Sequence, residues 1–229
     1  MKTIAVPLVL ASHANYWHEI VEIGRTVESK SISRSGVLLL GYAMLKALSA
    51  FAGVTAPSAF DVAYGTLGLL VAAFGLLGLY PPLRDVASRV SLAGVYATIV
   101  SAICSAAIVL WVVGATLQME GYPAIPEDAP AWTVAALVVV FLTLALGFFL
   151  FSVASLRTAV LSRTVGFLLL VPTVAWVGLI VGNVVAPSGD YLGVLAYTPI
   201  SIALLAIGYL LRGEPSPTDR AGPASDTVA

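Results

Sequence analysis

The 229-residue chain is 59% hydrophobic and only 10% charged, with a mean hydropathy of +1.00. Soluble globular domains carry about 25% charged residues, so this composition excludes a water-soluble domain. The net charge of −1 and the dispersal of the 11 Lys and Arg residues give no basic face for nucleic acid, and none is expected as a partner.

Residues 1–35 read as a cytoplasmic N-terminal segment. The opening MKTIAVPLVLASHA has one Lys, a short apolar stretch and small residues at Ser12 and Ala14, the outline of a secretory signal. Cleavage there would leave Arg25, Lys30 and Arg34 outside, against the charge pattern of the rest of the chain. The favoured expectation is an interfacial amphipathic helix from about Asn15 to Glu28. It would set Tyr16, Trp17, Ile20, Val21, Ile23 and Val27 against lipid headgroups or the bundle.

Residues 36–211 form a predicted bundle of transmembrane helices. The segments 62–83, 90–119, 129–156, 164–189 and 191–211 contain no Asp, Glu, Lys or Arg, and 35–60 is broken only by Lys46. Each supplies the roughly 20 apolar residues a spanning helix needs. Six spans follow, at about 36–55, 62–80, 92–115, 131–153, 165–186 and 191–211. A membrane β-barrel is excluded, because its strands alternate in polarity. The fold class is all-α, a polytopic integral membrane protein.

Orientation comes from the loops. Lys2, Arg25, Lys30 and Arg34 precede the first span, Arg84 and Arg89 separate the second from the third, Arg157 and Arg163 the fourth from the fifth, and Arg212 and Arg220 follow the sixth. The alternate loops hold only acids: Asp61, then Glu120, Glu127 and Asp128, then Asp190. Basic loops stay cytoplasmic, so both termini are expected there, in the cell membrane. The anionic inner leaflet is a sufficient partner for the basic residues. The tail, 212–229, is rich in Pro, Ser and Gly and is expected to be disordered. Cys104 is the only cysteine and sets no redox compartment.

Small residues mark where helices approach closely in lipid. Gly65, Gly68, Ala72 and Gly75 share one stripe of the second span, Gly94, Thr98, Ser101 and Ser105 one stripe of the third, and Gly178 and Gly182 form a GxxxG in the fifth. Intramolecular packing is the expected use, with a dimer surface or a pore lining as the alternative; a homo-oligomer or a membrane partner subunit is the protein partner such faces would admit. Pro172 and Pro199 fall near the middle of the fifth and sixth spans. Paired interruptions of this kind mark binding sites in some transporters.

Lys46 is the one basic residue inside a span. It lies about ten residues from either end of 36–55, roughly 15 Å of helix, and should face the bundle interior, because a lysine at mid-membrane costs about 2.5–3.5 kcal/mol. Asp61 and Asp190 belong to outer span ends, so the polar residues expected near its depth are Ser101, Ser105, Thr143, Thr173 and Ser201, with Asn183 nearer the outer face. Together with Lys46 they form the candidate site for a small solute or ion. His18 and Glu22 share a helix face, but Glu22 stands where a zinc-protease HExxH has its second His, and with two His in the chain no metal site or cofactor is expected. No acid–base pair is evident either, so an enzyme is not expected. The residues thus support a transporter-like or channel-like protein with a polar site at Lys46. The alternative is a non-catalytic membrane subunit or scaffold that binds a partner through its helix faces and cytoplasmic ends.

Overall fold

The computed structural model describes residues 30–46, 59–118, 131–158, 160–185 and 191–213. The expected interfacial helix, signal-like opening, acidic loops and tail beyond 213 lie outside the described residues. Within them every regular element is a helix: α1 (30–46), α2 (Ala59–Leu77), α3 (Tyr80–Arg84), α4 (Ser88–Gln118), α5 (Ala131–Thr158), α6 (Arg163–Val185) and α7 (Tyr191–Gly213). Three stretches, Ser88–Gly114, Ala131–Thr158 and Arg163–Gly182, are long and apolar enough to cross a bilayer. Gly65–Leu77 and Ala196–Arg212 are shorter apolar helices.

The helix expected at 62–80 runs Ala59–Leu77. It stops at Leu77, where Gly78 N–H bonds back to the Phe74 carbonyl and Leu79 N–H tightens to the Leu76 carbonyl at 2.9 Å. Pro81 and Pro82 then open α3, where a proline lacks no bond the helix would have made. Ser162 caps α6, its Oγ accepting from Val165 N–H at 3.3 Å.

Consecutive long helices pack antiparallel. Gly147 on α5 faces Thr98 on α4, and Gly94 on α4 faces Leu150 and Phe151 on α5. On the next interface the Ser152 hydroxyl donates to the Gly166 carbonyl at 2.7 Å, and farther along the Thr173 hydroxyl reaches the Ala145 carbonyl at 3.2 Å. Trp176 is fully buried between α6 and α5, with Phe148 at 5.4 Å between ring centroids. Ser152→Ala removes a buried interhelical bond and is expected to cost roughly 0.6 kcal/mol. Thermal unfolding in detergent should show a small fall in midpoint with the fold retained.

α1 closes the bundle. Its positions 35, 39, 42 and 46, at spacings of four, three and four, lie along the stripe Gly78, Gly75, Gly68 and Gly65 of α2. Ser31 adds a hydrogen bond from its hydroxyl to the Gly78 carbonyl at 2.8 Å. The glycine stripe of α2 therefore serves intramolecular packing. On its other side α1 meets α7 still more closely: a Cβ at Gly36 would lie 2.9 Å from the Gly208 carbonyl oxygen, and a Cβ at Gly208 2.7 Å from that of Gly36.

Polarity in this bundle is distributed inside out. Thr66, Ser91, Thr98, Ser101, Ser105, Ser152 and Ser155 are buried, while Leu110, Val174, Ile202 and Ile103 are exposed at 72%, 69%, 65% and 64%. Water would penalise that surface heavily, whereas acyl chains would not. The antiparallel pairings also bring Lys30, Arg34, Arg84, Arg89, Arg157, Arg163 and Arg212 to one end. Trp111 and Trp132 stack edge to face near the other end, 5.9 Å apart, as aromatic residues do at a membrane interface.

Candidate functional site around Lys46

Lys46 is the only described Lys or Arg away from the basic end, and three helices surround its ammonium. α1 carries it one turn beyond Tyr42 on the same face. α7 contributes Tyr197, over whose ring the Nζ sits 4.0 Å from the centroid. α2 contributes Gly65, where the Nζ is the only atom outside the local backbone within 4 Å of a Cβ position, at 3.3 Å. An ammonium over an aromatic face is attracted by the ring quadrupole, by about 0.5–2 kcal/mol depending on desolvation. That contact, with other interactions of Lys46 and Tyr197, offsets part of the cost of holding the lysine inside.

Tyr42 completes the cluster. Its side chain is fully buried against Gly68, and its hydroxyl has no hydrogen-bond partner among the described residues. Leaving such a hydroxyl unpaired costs about 1–3 kcal/mol. A fold that retains it has a donor in reserve beside a cation. Asp61 stands four residues before Gly65 in α2, and its side chain lies outside the described residues.

The hydroxyl residues expected near Lys46 sit mostly elsewhere. Ser101 donates to the Val140 carbonyl at 3.3 Å, joining α4 to α5. Thr143 bonds back to the Val139 carbonyl of its own helix at 2.7 Å, and Thr173 joins α6 to α5 as described above. Ser105 is buried on α4 with no partner among the described residues. Leu76 of α2 approaches Gly147, seven residues along α5 from the Val140 carbonyl that Ser101 meets. Ser201, half-buried on α7, is one turn beyond Tyr197 and is the nearest of the set in register. Asn183 belongs to α6, and its side chain lies outside the described residues.

The structure thus groups Lys46 with Tyr42, Tyr197 and Gly65, and assigns Ser101, Thr143 and Thr173 to helix packing. Tyr42 was legible as the residue four before Lys46. Tyr197 depends on α1 meeting α7, which no local pattern signals.

A second feature lies between α6 and α7. Leu170, Val174, Ala175, Gly178, Ala196 and Pro199 line an apolar cavity of about 490 Å³. Gly178 is exposed, with nothing within 4 Å of a Cβ position, while Gly182 is half-buried. Among the described residues no group of His, Cys, Asp or Glu could hold a metal ion. His13, His18 and Glu22 lie outside them.

Among the described residues the chain is helical, with three helices long and apolar enough to cross a membrane and a half-buried Lys46 between helices. Comparison with known proteins gives no matching family model, no matching curated protein and no matching solved structure.

Proposed function

We propose that this chain is a six-span protein of the cell membrane, with both termini cytoplasmic, that passes a small solute or ion through a polar site at Lys46. The reading is transporter-like or channel-like and assigns the chain no catalytic chemistry. What carries it is the Lys46 ammonium held 4.0 Å above the Tyr197 ring, inside a bundle whose other described cations share one end. A lysine placed there is expensive unless it serves a path or a ligand. The three long apolar helices, the apolar exterior and the common basic end support the membrane placement. Under this topology α1 rises from the cytoplasmic face, and Lys46 meets the outer halves of α2 and α7.

The partners implied are the bilayer and the transported solute or ion. Flux through the reconstituted protein, compared between wild type and Lys46→Met, tests the reading.

One observation favours a second reading, a non-catalytic subunit or scaffold. The exposed Gly178 of α6 and the apolar cavity beside it resemble a surface that a partner helix or a second copy would cover. Under that reading the protein carries no flux and copurifies with its partner.

A further inference from the structure

The cavity of about 490 Å³ between α6 and α7 is lined by no polar side chain. Gly178 and Val174 stand exposed on its rim, and Ala196 is buried in its α7 wall. Pro199 in that wall has no N–H, so its backbone offers no donor either. Water held in a cavity needs about two to four polar partners, so this one stays dry, and dry apolar cavities take up apolar molecules. Left empty, its lining would forfeit dispersion contacts on one side. Leu170 and Leu179 lie about 10 and 24 Å along α6 from Arg163 at the basic end. A hydrocarbon core is about 30 Å thick, so the cavity straddles its middle, where a bilayer supplies only hydrocarbon chains. Spread over the roughly 13 Å from Leu170 to Leu179, the volume gives a mean cross-section of roughly 36 Å². An α-helix with its side chains is about 10–12 Å across, or roughly 80–110 Å². A partner helix is therefore too thick to fill the cavity, whereas a methylene chain, which its neighbours approach to about 4 Å, is not.

We infer that this cavity binds the acyl chain of a bilayer lipid, seated between α6 and α7 with Gly178 at its entrance. The inference rests on the membrane placement in the proposed function and is independent of flux at Lys46. Gly178 keeps the entrance open, since nothing lies within 4 Å of a Cβ there. A large side chain at 178 would take the place of the acyl chain.

The probe is phosphatidylcholine carrying a photoactivatable diazirine midway along one acyl chain, mixed into phosphatidylcholine vesicles that hold the full-length protein. After photolysis, label mapped by mass spectrometry should concentrate on residues 170–179 and 196–199, above its level at Ile103 and Leu110, which are exposed on α4. Gly178→Phe should lower labelling of 170–179 roughly tenfold, by removing chain contacts. Val177→Phe adds bulk to the exposed side of α6 outside the lining and should leave the pattern unchanged. Gly178→Leu serves in its place if Gly178→Phe does not fold. Equal labelling of the exteriors of α4 and α6, or labelling of 170–179 that a folded Gly178 variant leaves unchanged, would overturn the inference. So would a dimer that shields 170–179 from the label and that the Gly178 variant dissociates, because a second copy would then be the occupant. Protein that floats with the vesicles and labels evenly would refute the acyl chain and leave the membrane placement standing; protein that stays out of the vesicles would remove both.

Discussion

Gly208→Leu should abolish the folded protein, whereas Gly178→Ala on the neighbouring helix should leave it intact. At Gly208 a Cβ alone would lie 2.5 Å from Leu40 Cγ and 2.7 Å from the Gly36 carbonyl oxygen. Leu40 can change rotamer, but the carbonyl is backbone and moves only with α1. Overpacking of a close interface costs about 1–3 kcal/mol even where side chains can yield, and here α1 and α7 must separate along their shared length. The Lys46–Tyr197 contact lies farther along the same interface and would be lost with it. Gly178 meets no atom within 4 Å of a Cβ, so alanine there adds no clash and removes backbone freedom. Thermal unfolding in detergent and size-exclusion profiles separate the two. A wild-type midpoint for Gly208→Leu would show that α1 and α7 are not in contact.

Much of this architecture is legible in the uncharged runs, because apolar length is what a bilayer requires. The starts expected at 131 and 191 coincide with α5 and α7, and 165 falls two residues inside α6. α4 and α5 run past the expected ends at 115 and 153, to Gln118 and Thr158, since hydropathy follows the membrane while the hydrogen-bond ladder continues into polar flanks. α3 is not legible, for Pro81 and Pro82 read as breakers although a first turn accepts them. The glycine stripe of α2 announces close packing but not its partner. That partner is the Ser35, Leu39, Tyr42 and Lys46 face of α1. The surroundings of Lys46 were the least legible part. Depth counted from span ends treats every helix as equally placed, and it selected Ser101, Thr143 and Thr173, whose hydroxyls bond to backbone carbonyls of α4, α5 and α6 interfaces and turns. The contact that matters, Tyr197, comes from the closure of α1 on α7.

If the chain passes a solute as proposed, Lys46→Met should fold and pass it far more slowly. Methionine keeps the unbranched stem and removes the ammonium, so the packing against Gly65 and Tyr197 survives while the cost of holding a half-buried ammonium inside the bundle is relieved. The thermal midpoint should therefore stay level or rise. A bond between a charged donor and the passing solute is worth about 1.5–3 kcal/mol, so its loss should slow flux roughly 10–100-fold. Lys46→Arg, which keeps the charge with a bulkier head, should retain part of it. The decisive measurement is flux into liposomes carrying equal amounts of wild type and Lys46→Met, both verified as folded, across halide, alkali-cation and neutral-solute probes. The account predicts passage of one probe by wild type and passage roughly 10–100-fold slower through the variant. Equal flux through both, or none through either, would contradict it.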